Sequence, residues 1–144
     1  MRGFPARIAL KTPAKINLLL HIQGKRSDGY HDIITIMQMV ELWDEIIIEK
    51  SEKLELICSH PDMPSGQGNL IYRAAVRLKE FSGTEGGARI RLEKSIPVAA
   101  GLGGGSSDAA ATLVGLNTLW GLDYANDKLM AIGRELGSDV PFFL

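Results

Sequence analysis

The sequence predicts an α+β fold, in which helices pack on one face of a mainly antiparallel sheet. Three observations support this prediction. Apolar segments with strand-like patterns fill residues 7–58, and adjacent strands favour hairpin connections. Segments with apolar residues at helical spacing follow, mostly after residue 69. The length of 144 residues suits a single domain with its own core.

The candidate strands differ in how clearly they alternate. Six segments have strand character: residues 7–11, 15–22, 31–42, 45–50, 53–58 and 88–93. The second alternates best, and its period of two places Lys15 and Asn17 on one face, opposite Ile16. Asp28-Gly29 signals a turn after this segment, and Ser51-Glu52 predicts a hairpin between residues 45–50 and 53–58.

Three helices are predicted by caps and apolar periodicity. Asn69 is the expected N-cap of the first helix, which ends at Ser82-Gly83. The second is expected to be amphipathic and to start directly from Ser106-Ser107. Asn126 would cap the third helix and Gly137 would stop it.

Composition limits the classes of partner. The chain has 16 basic and 17 acidic residues, so no strong field favours nucleic acid or an anionic membrane. Cys58 is the only cysteine, which excludes a disulfide framework and fits a reducing, cytoplasmic setting. No apolar segment suits a signal peptide or a membrane span. The apolar run Val140–Leu144 at the end of the chain suggests a cut protein with exposed apolar surface.

The most informative stretch is residues 97–111, PVAAGLGGGSSDAAA. Its glycines allow a ligand to approach the backbone closely, and a helix begins directly after them. Backbone N–H groups at the positive end of a helix form an anion site, and phosphate is the expected anion. The stretch therefore indicates nucleotide binding, and a flexible Gly/Ser linker is the alternative.

Familiar phosphate loops do not fit this stretch. A Walker loop needs a lysine at its end, and no lysine lies between Lys94 and Lys128. A Rossmann fingerprint needs a third glycine where Ser106 stands. A protein-kinase loop leads into a valine strand, whereas alanines follow here.

Four segments together resemble the GHMP kinase superfamily. They are Pro13–Leu18 (PAKINL), Gly24–His31 (GKRSDGYH), Pro97–Asp108 (PVAAGLGGGSSD) and Gly137–Phe143 (GSDVPFF). The resemblance implies a ribosomal protein S5 domain 2-like fold and makes residues 1–144 the N-terminal, ATP-binding domain. Members are roughly twice this long, so the resemblance also implies that a C-terminal GHMP domain is missing.

The activity that the resemblance implies is phosphoryl transfer to a small molecule. Gly24–His31 narrows it to transfer from ATP to the 2-hydroxyl of 4-diphosphocytidyl-2-C-methyl-D-erythritol, in non-mevalonate isoprenoid precursor synthesis. ATP and Mg²⁺ are the expected cofactors. Homoserine or mevalonate-type kinases are alternatives, as is a fragment that binds nucleotide without turnover. A nucleic-acid-binding domain is disfavoured by the near-neutral charge.

The resemblance also assigns roles to residues. Asp139 is the candidate base for the acceptor hydroxyl, and Lys15 the catalytic lysine that stabilises negative charge. Asn17, Tyr30 and His31 are expected to bind substrate, with the aromatic ring stacking on cytosine. The residue patterns alone also allow a turn aspartate at Asp139, a solvated lysine at Lys15, and surface roles for Tyr30 and His31.

The remaining candidates line the expected nucleotide side. They are Asn69, Lys94, Pro97, Val98, Ala99, Ala100, Gly101, Leu102, Gly103, Gly104, Gly105, Ser106 and Ser107. Ser107 could contact a phosphate or the metal, and the sequence leaves both alternatives open. Lys94 could equally be a charge at the end of an exposed strand. No metal ligand is assigned.

Overall fold

The computed structural model describes residues 4–144, so the first three residues of the domain predicted for 1–144 lie outside the described residues. Its strands are β1 (Arg7–Lys25), β2 (His31–Ser51), β3 (Leu54–Cys58) and β4 (Gly87–Glu93). Its helices are α1 (Leu70–Ser82), α2 (Gly104–Leu119) and α3 (Asn126–Leu136), and a 3-10 turn covers Val140–Phe143. The predicted α+β class is confirmed.

The four strands form one sheet in the order β1-β2-β4-β3. β1 with β2 and β2 with β4 are antiparallel, whereas β3 and β4 are parallel. The predicted hairpin between residues 45–50 and 53–58 is therefore wrong. α1 connects β3 to β4 as a crossover, which makes those two strands parallel, and β4 lies between β2 and β3. Gly87 permits this path, since a Cβ there would lie 2.5 Å from the carbonyl oxygen of Ser51 at the end of β2.

The first two strands are longer than predicted. Residues 7–11 and 15–22 merge into β1, and residues 31–42 and 45–50 merge into β2. Pro13 does not end β1, because the register shifts there: Pro13 lies opposite Trp43, and Ala14 opposite Val40. A bulge of this kind accommodates a residue that has no N–H to donate.

The core lies between one face of the sheet and the helices. Ile46, Ile48, Ile90 and Leu92 are fully buried on that face. The opposite face carries charged side chains instead, including the ion pair from Arg89 Nε to Glu55 Oε2 at 2.8 Å. This period-two separation confirms that the helices pack on one side.

The structure confirms some of the predicted helix ends and corrects others. Asn69 caps α1 and Gly83 ends it, as predicted. α2 begins at Gly104, before the serines, and it is buried on most sides because it contacts β1, β2, α1 and α3. The helix is therefore not amphipathic as predicted. Of the face expected to be apolar, Ala110 and Leu113 are fully buried and Trp120 packs against the core, whereas Val114 is exposed. The predicted Asn126 cap is wrong, because Asn126 is the first residue of α3 and Ala125 is its N-cap residue; Gly137 ends the helix as predicted.

Exposed apolar surface lies on the β1–β2 ribbon and not at the end of the chain. Val140 is fully buried, and Phe143 and Leu144 pack against the core. Beyond the bulge at Asn17, the two strands form an arm, residues 18–36, whose apolar side chains are exposed on both faces. These are Leu18, Leu19, Leu20, Ile22, Ile33, Ile34 and Ile36. Among the described residues, no helix combines the length and apolar character needed to cross a membrane.

Candidate phosphate-binding and catalytic site

The glycine-rich loop, residues 97–103, connects β4 to α2 and lines a cavity of about 280 Å³. Gly101 and Gly103 take left-handed φ angles of 75° and 69°, and Ala99 shares this region at 56° although it carries a Cβ. A non-glycine residue in this region stores strain, which is typical of functional loops. α2 begins at Gly104, so its first free N–H groups lie beside the cavity.

Most of the predicted nucleotide-side residues line this cavity. They are Lys94 and the continuous segment 97–106. Leu70 also lines it, and the resemblance places this residue on the nucleotide side together with Asn69. Met63 lines it as well, and sequence reasoning did not identify that residue. Asn69 and Ser107 are not among the lining residues. The Asn69 side chain accepts the Ile71 N–H at 2.9 Å and donates to Pro64 O at 3.0 Å, so it is engaged in capping α1.

Two lysines enclose the loop, one on each side. A Cβ at Gly103 would lie 2.8 Å from Lys15 Cγ and 3.1 Å from Phe143 Cζ. A Cβ at Gly104 would lie 2.8 Å from Lys94 Nζ. The loop backbone therefore fits between these lysines only because both positions lack a side chain.

Lys15 and Asp139 come together at one side of the loop. The Lys15 side chain is 6% exposed, and its Nζ lies 3.6 Å from Asp139 Oδ2 and 3.2 Å from Asn17 Oδ1. The Lys15 N–H donates to Leu102 O at 2.8 Å, which fixes β1 against the loop. Asp139 stands at the start of the 3-10 turn with its side chain 38% exposed, so it remains accessible to a ligand. The structure thus brings three of the predicted site residues together from two distant segments.

Lys94 belongs to a buried charged cluster beneath the loop. Its Nζ donates to Asp44 Oδ2 and lies 3.6 Å from Asp108 Oδ2. Thr12 Oγ1 donates to Asp108 Oδ1 at 2.6 Å. Burial raises the pKa of the Asp108 carboxyl to about 7; the Thr12 hydrogen bond opposes that rise, the Asp44 charge adds to it, and the Lys94 charge opposes it. Sequence reasoning missed Thr12, Asp44 and Asp108, although Asp108 stands inside the quoted motif.

Tyr30 and His31 lie away from the loop. They follow the Asp28-Gly29 turn at the tip of the arm, where His31 is paired with Lys25. The strand from Asn17 to Lys25 extends about 26 Å at the usual strand rise. The structure therefore does not bring these two residues to Lys15 and Asp139, and their substrate-binding role stays a prediction.

Few protein ligands are available for a metal ion. Within residues 4–144, no group of three or more His, Cys, Asp or Glu side chains is placed to hold one. Mg²⁺ commonly needs only one or two protein ligands in addition to substrate phosphates, so this arrangement fits an ion that arrives with a nucleotide. Ser107 Oγ is a buried oxygen without a hydrogen-bond partner among the described residues, at the start of α2.

Comparison with known proteins identifies the family of this chain. The family described as GHMP kinases N terminal domain matches residues 69–144. The 4-diphosphocytidyl-2-C-methyl-D-erythritol kinase of Caldicellulosiruptor bescii is 53% identical over 137 residues, covering 94% of this chain and 48% of the relative. The chain spans about half the length of the curated relatives it matches.

Solved structures share the fold. A crystal structure of 4-(cytidine 5'-diphospho)-2C-methyl-D-erythritol kinase matches with a TM-score of 0.79 and 43% identity, covering 94% of this chain and 48% of that one. Homoserine kinase from Cytophaga hutchinsonii matches with a TM-score of 0.69 and 21% identity, covering 94% and 42%, which shows the fold alone. The predicted ribosomal protein S5 domain 2-like fold is confirmed.

Proposed function

This chain belongs to the GHMP kinases through their N-terminal domain, and on that premise we propose that it forms the ATP-binding half of a small-molecule kinase. The observation that carries the proposal is the position of the glycine loop. The loop backbone begins a 16-residue helix and lies directly against Lys15, which is paired with Asp139. Phosphoryl transfer needs a phosphate cradle, a cation and a group that accepts the hydroxyl proton, and these residues supply all three.

We propose that the full-length protein transfers the γ-phosphate of ATP to the 2-hydroxyl of 4-diphosphocytidyl-2-C-methyl-D-erythritol. Sequence identity supports this acceptor. It is 43% to the solved 4-(cytidine 5'-diphospho)-2C-methyl-D-erythritol kinase and 21% to the solved homoserine kinase. Asp139 accepts the hydroxyl proton while the alkoxide oxygen bonds to the γ-phosphorus and the β–γ bridge breaks, releasing ADP. Lys15 stabilises the negative charge that develops on the transferred group. When bound together with the nucleotide, Mg²⁺ would supply neutralisation of phosphate charge.

For the 144 residues alone, we propose nucleotide binding without turnover. Tyr30 and His31 are remote from the loop, and the apolar arm is uncovered by other described residues. Both observations support a second domain that completes the acceptor pocket. We place the reaction in the cytoplasm, with a small molecule and neither nucleic acid nor membrane as partner, because the chain has a net charge of −1 and a single cysteine.

An assay of ADP release by the full-length protein tests the acceptor assignment. We expect turnover with the diphosphocytidyl substrate and none with homoserine or mevalonate. Asp139→Asn should abolish turnover and leave ATP affinity unchanged, because it removes the base and leaves the loop intact. Asp127→Asn, an exposed carboxyl on α3, is the matched control. Normal turnover by Asp139→Asn would remove Asp139 from the catalytic role.

Gly105→Ala tests the cradle itself. A Cβ at Gly105 meets nothing within 4 Å, so the variant should fold at least as well as the wild type. If phosphate occupies that open space, ATP affinity falls while stability does not. Gly66→Ala, which also meets nothing within 4 Å, is the control and should keep wild-type affinity. Unchanged ATP affinity in Gly105→Ala would argue against a phosphate seat on this side of the loop.

A further inference from the structure

We propose that Asp44 is a positioning residue for nucleotide binding. Together with Thr12, which lies opposite it on the neighbouring strand, it holds the two ends of the glycine loop. The inference rests on the proposed function, since it concerns the same phosphate site. Thr12 on β1 and Asp44 on β2 are directly opposite each other in the strand register. Both side chains are buried, at 1% and 0% exposure, and neither lines the cavity.

Asp44 holds the segment that enters the loop. Its Oδ1 accepts the N–H groups of Ser95 at 2.5 Å and Ile96 at 2.7 Å, immediately before the loop begins at Pro97. Its Oδ2 accepts from Lys94 Nζ, which lies beneath Gly104. One carboxylate therefore fixes three consecutive residues, 94–96, against β2.

Thr12 holds the segment that leaves the loop. Its hydroxyl donates to Asp108 Oδ1 at 2.6 Å, in the second turn of α2. Asp108 Oδ2 lies 3.6 Å from Lys94 Nζ, so the two contacts are joined through the lysine. The entry of the loop, residues 94–96 directly after β4, and its exit on α2 are thus tied to residues that face each other on β1 and β2.

A buried polar cluster of this kind is weak support for stability by itself. Desolvation of buried charges offsets most of their attraction, and apolar replacements are often tolerated. What such a cluster can supply is a defined geometry, and here the geometry concerns a loop that has almost no side chains of its own. Cradle N–H groups displaced by a fraction of an ångström lose alignment with the phosphate oxygens.

The test measures ATP affinity and loop hydrogen exchange in the full-length protein. Asp44→Asn keeps an acceptor for the Ser95 and Ile96 N–H groups and removes the charge that holds Lys94. We expect the Kd for ATP to rise about tenfold or more, and amide exchange in residues 99–105 to accelerate in the ligand-free protein. The KM for the acceptor alcohol should stay within about twofold of wild type. Glu55→Gln, on the opposite face of the sheet, is the control and should change neither the Kd for ATP nor the amide exchange of the loop.

Substitutions at Thr12 are milder than Asp44→Asn and test the same loop contacts if Asp44→Asn does not fold. Thr12→Val replaces the hydroxyl with a methyl group and should raise the Kd for ATP about threefold. Thr12→Ser keeps the hydroxyl and should have the wild-type Kd. A folded Asp44→Asn, or a Thr12→Val, with wild-type Kd and wild-type loop exchange would overturn the proposal. The Kd for ATP and the loop hydrogen exchange do not require the acceptor, so an absence of turnover with the diphosphocytidyl substrate would contradict only the proposed function.

Discussion

Replacing Asp108 by Asn should stabilise the 144-residue chain at pH 8 and leave its stability nearly unchanged at pH 5. Burial raises the pKa of this carboxyl to about 7, because the ionised form is desolvated beneath the loop. Asn has the shape of the protonated acid and still accepts the hydrogen bond that Thr12 Oγ1 donates at 2.6 Å. The variant therefore mimics the state that the folded protein favours below pH 7.

The magnitude follows from the shift between the folded and the unfolded chain. An unfolded aspartate titrates near pH 3.9, so between about pH 4 and pH 7 the folded wild type binds a proton that the unfolded chain has released. In that window the free energy of unfolding of the wild type falls as pH rises, by about 1.4 kcal/mol per pH unit. Between pH 5 and pH 8 the loss is about 3 kcal/mol, since it ends near the folded pKa of about 7.

Urea unfolding of wild type and Asp108→Asn at pH 5, 6, 7 and 8, followed by circular dichroism, measures this difference. The stability advantage of the variant should grow by about 3 kcal/mol over that range and level off above pH 7. Asp62→Asn, an exposed carboxyl in the β3–α1 loop, controls for the loss of a charge alone. An advantage that is the same at pH 5 and pH 8 would refute the reasoning. So would a variant that is less stable than wild type at pH 8, because the Lys94 charge would then outweigh the desolvation of Asp108.

Three further substitutions test the loop and its neighbouring helix by urea unfolding. Gly103→Ala should lower the free energy of unfolding by about 2 kcal/mol or more, because its Cβ meets side-chain atoms at 2.8 Å and its φ is 69°. Gly66→Ala, in open space, should change stability by less than about 0.5 kcal/mol. Equal effects of the two substitutions would show that Gly103 is not crowded by its neighbours. Ala99→Gly should stabilise by about 0.5–1 kcal/mol, because it relieves a φ of 56°, and a loss of stability would show that no strain is stored there. Asn69→Ala should lower the free energy of unfolding by about 1–2 kcal/mol, because it removes the side chain that caps α1. Asn126→Ala should lower it much less, because the Asn126 side chain caps no helix. Similar losses for both would mean that the Asn69 cap does not stabilise the fold.

Local signals in the sequence predict both ends of α1 and the position of the glycine loop well. The Asn69 cap and the Gly83 stop are short-range features, and the structure confirms both. The pairing of residues 53–58 could not be predicted in the same way, because a parallel partner is reached only after the intervening helix α1. The bulge at Pro13 was also hidden, since a proline ordinarily ends a strand and here the register shifts around it.

The same difference between local and long-range signals decides which site residues could be predicted. The glycine loop is predicted from its own residues, whereas the roles of Lys15 and Asp139 are predicted only because the short motifs around them carry the family resemblance. Asp44 stands in an apolar strand without any motif, and its contacts to Ser95 and Ile96 span 51 and 52 positions. Nothing in the local pattern distinguishes it from an exposed strand carboxylate such as Glu45. Only the sheet register, which pairs Asp44 with Thr12, reveals that it is buried beneath the loop.

The bareness of the glycine loop explains why such buried residues are needed at all. A segment that must present its backbone to a ligand gives up the side chains that would otherwise anchor it. Its conformation then depends on contacts at its two ends, and both ends here are held by buried polar side chains of β1 and β2. The residues that fix the loop consequently include Thr12 and Asp44, which do not line the cavity. Substitutions of these two residues should change nucleotide affinity without any contact to the nucleotide, a behaviour that a search confined to the motif would not anticipate.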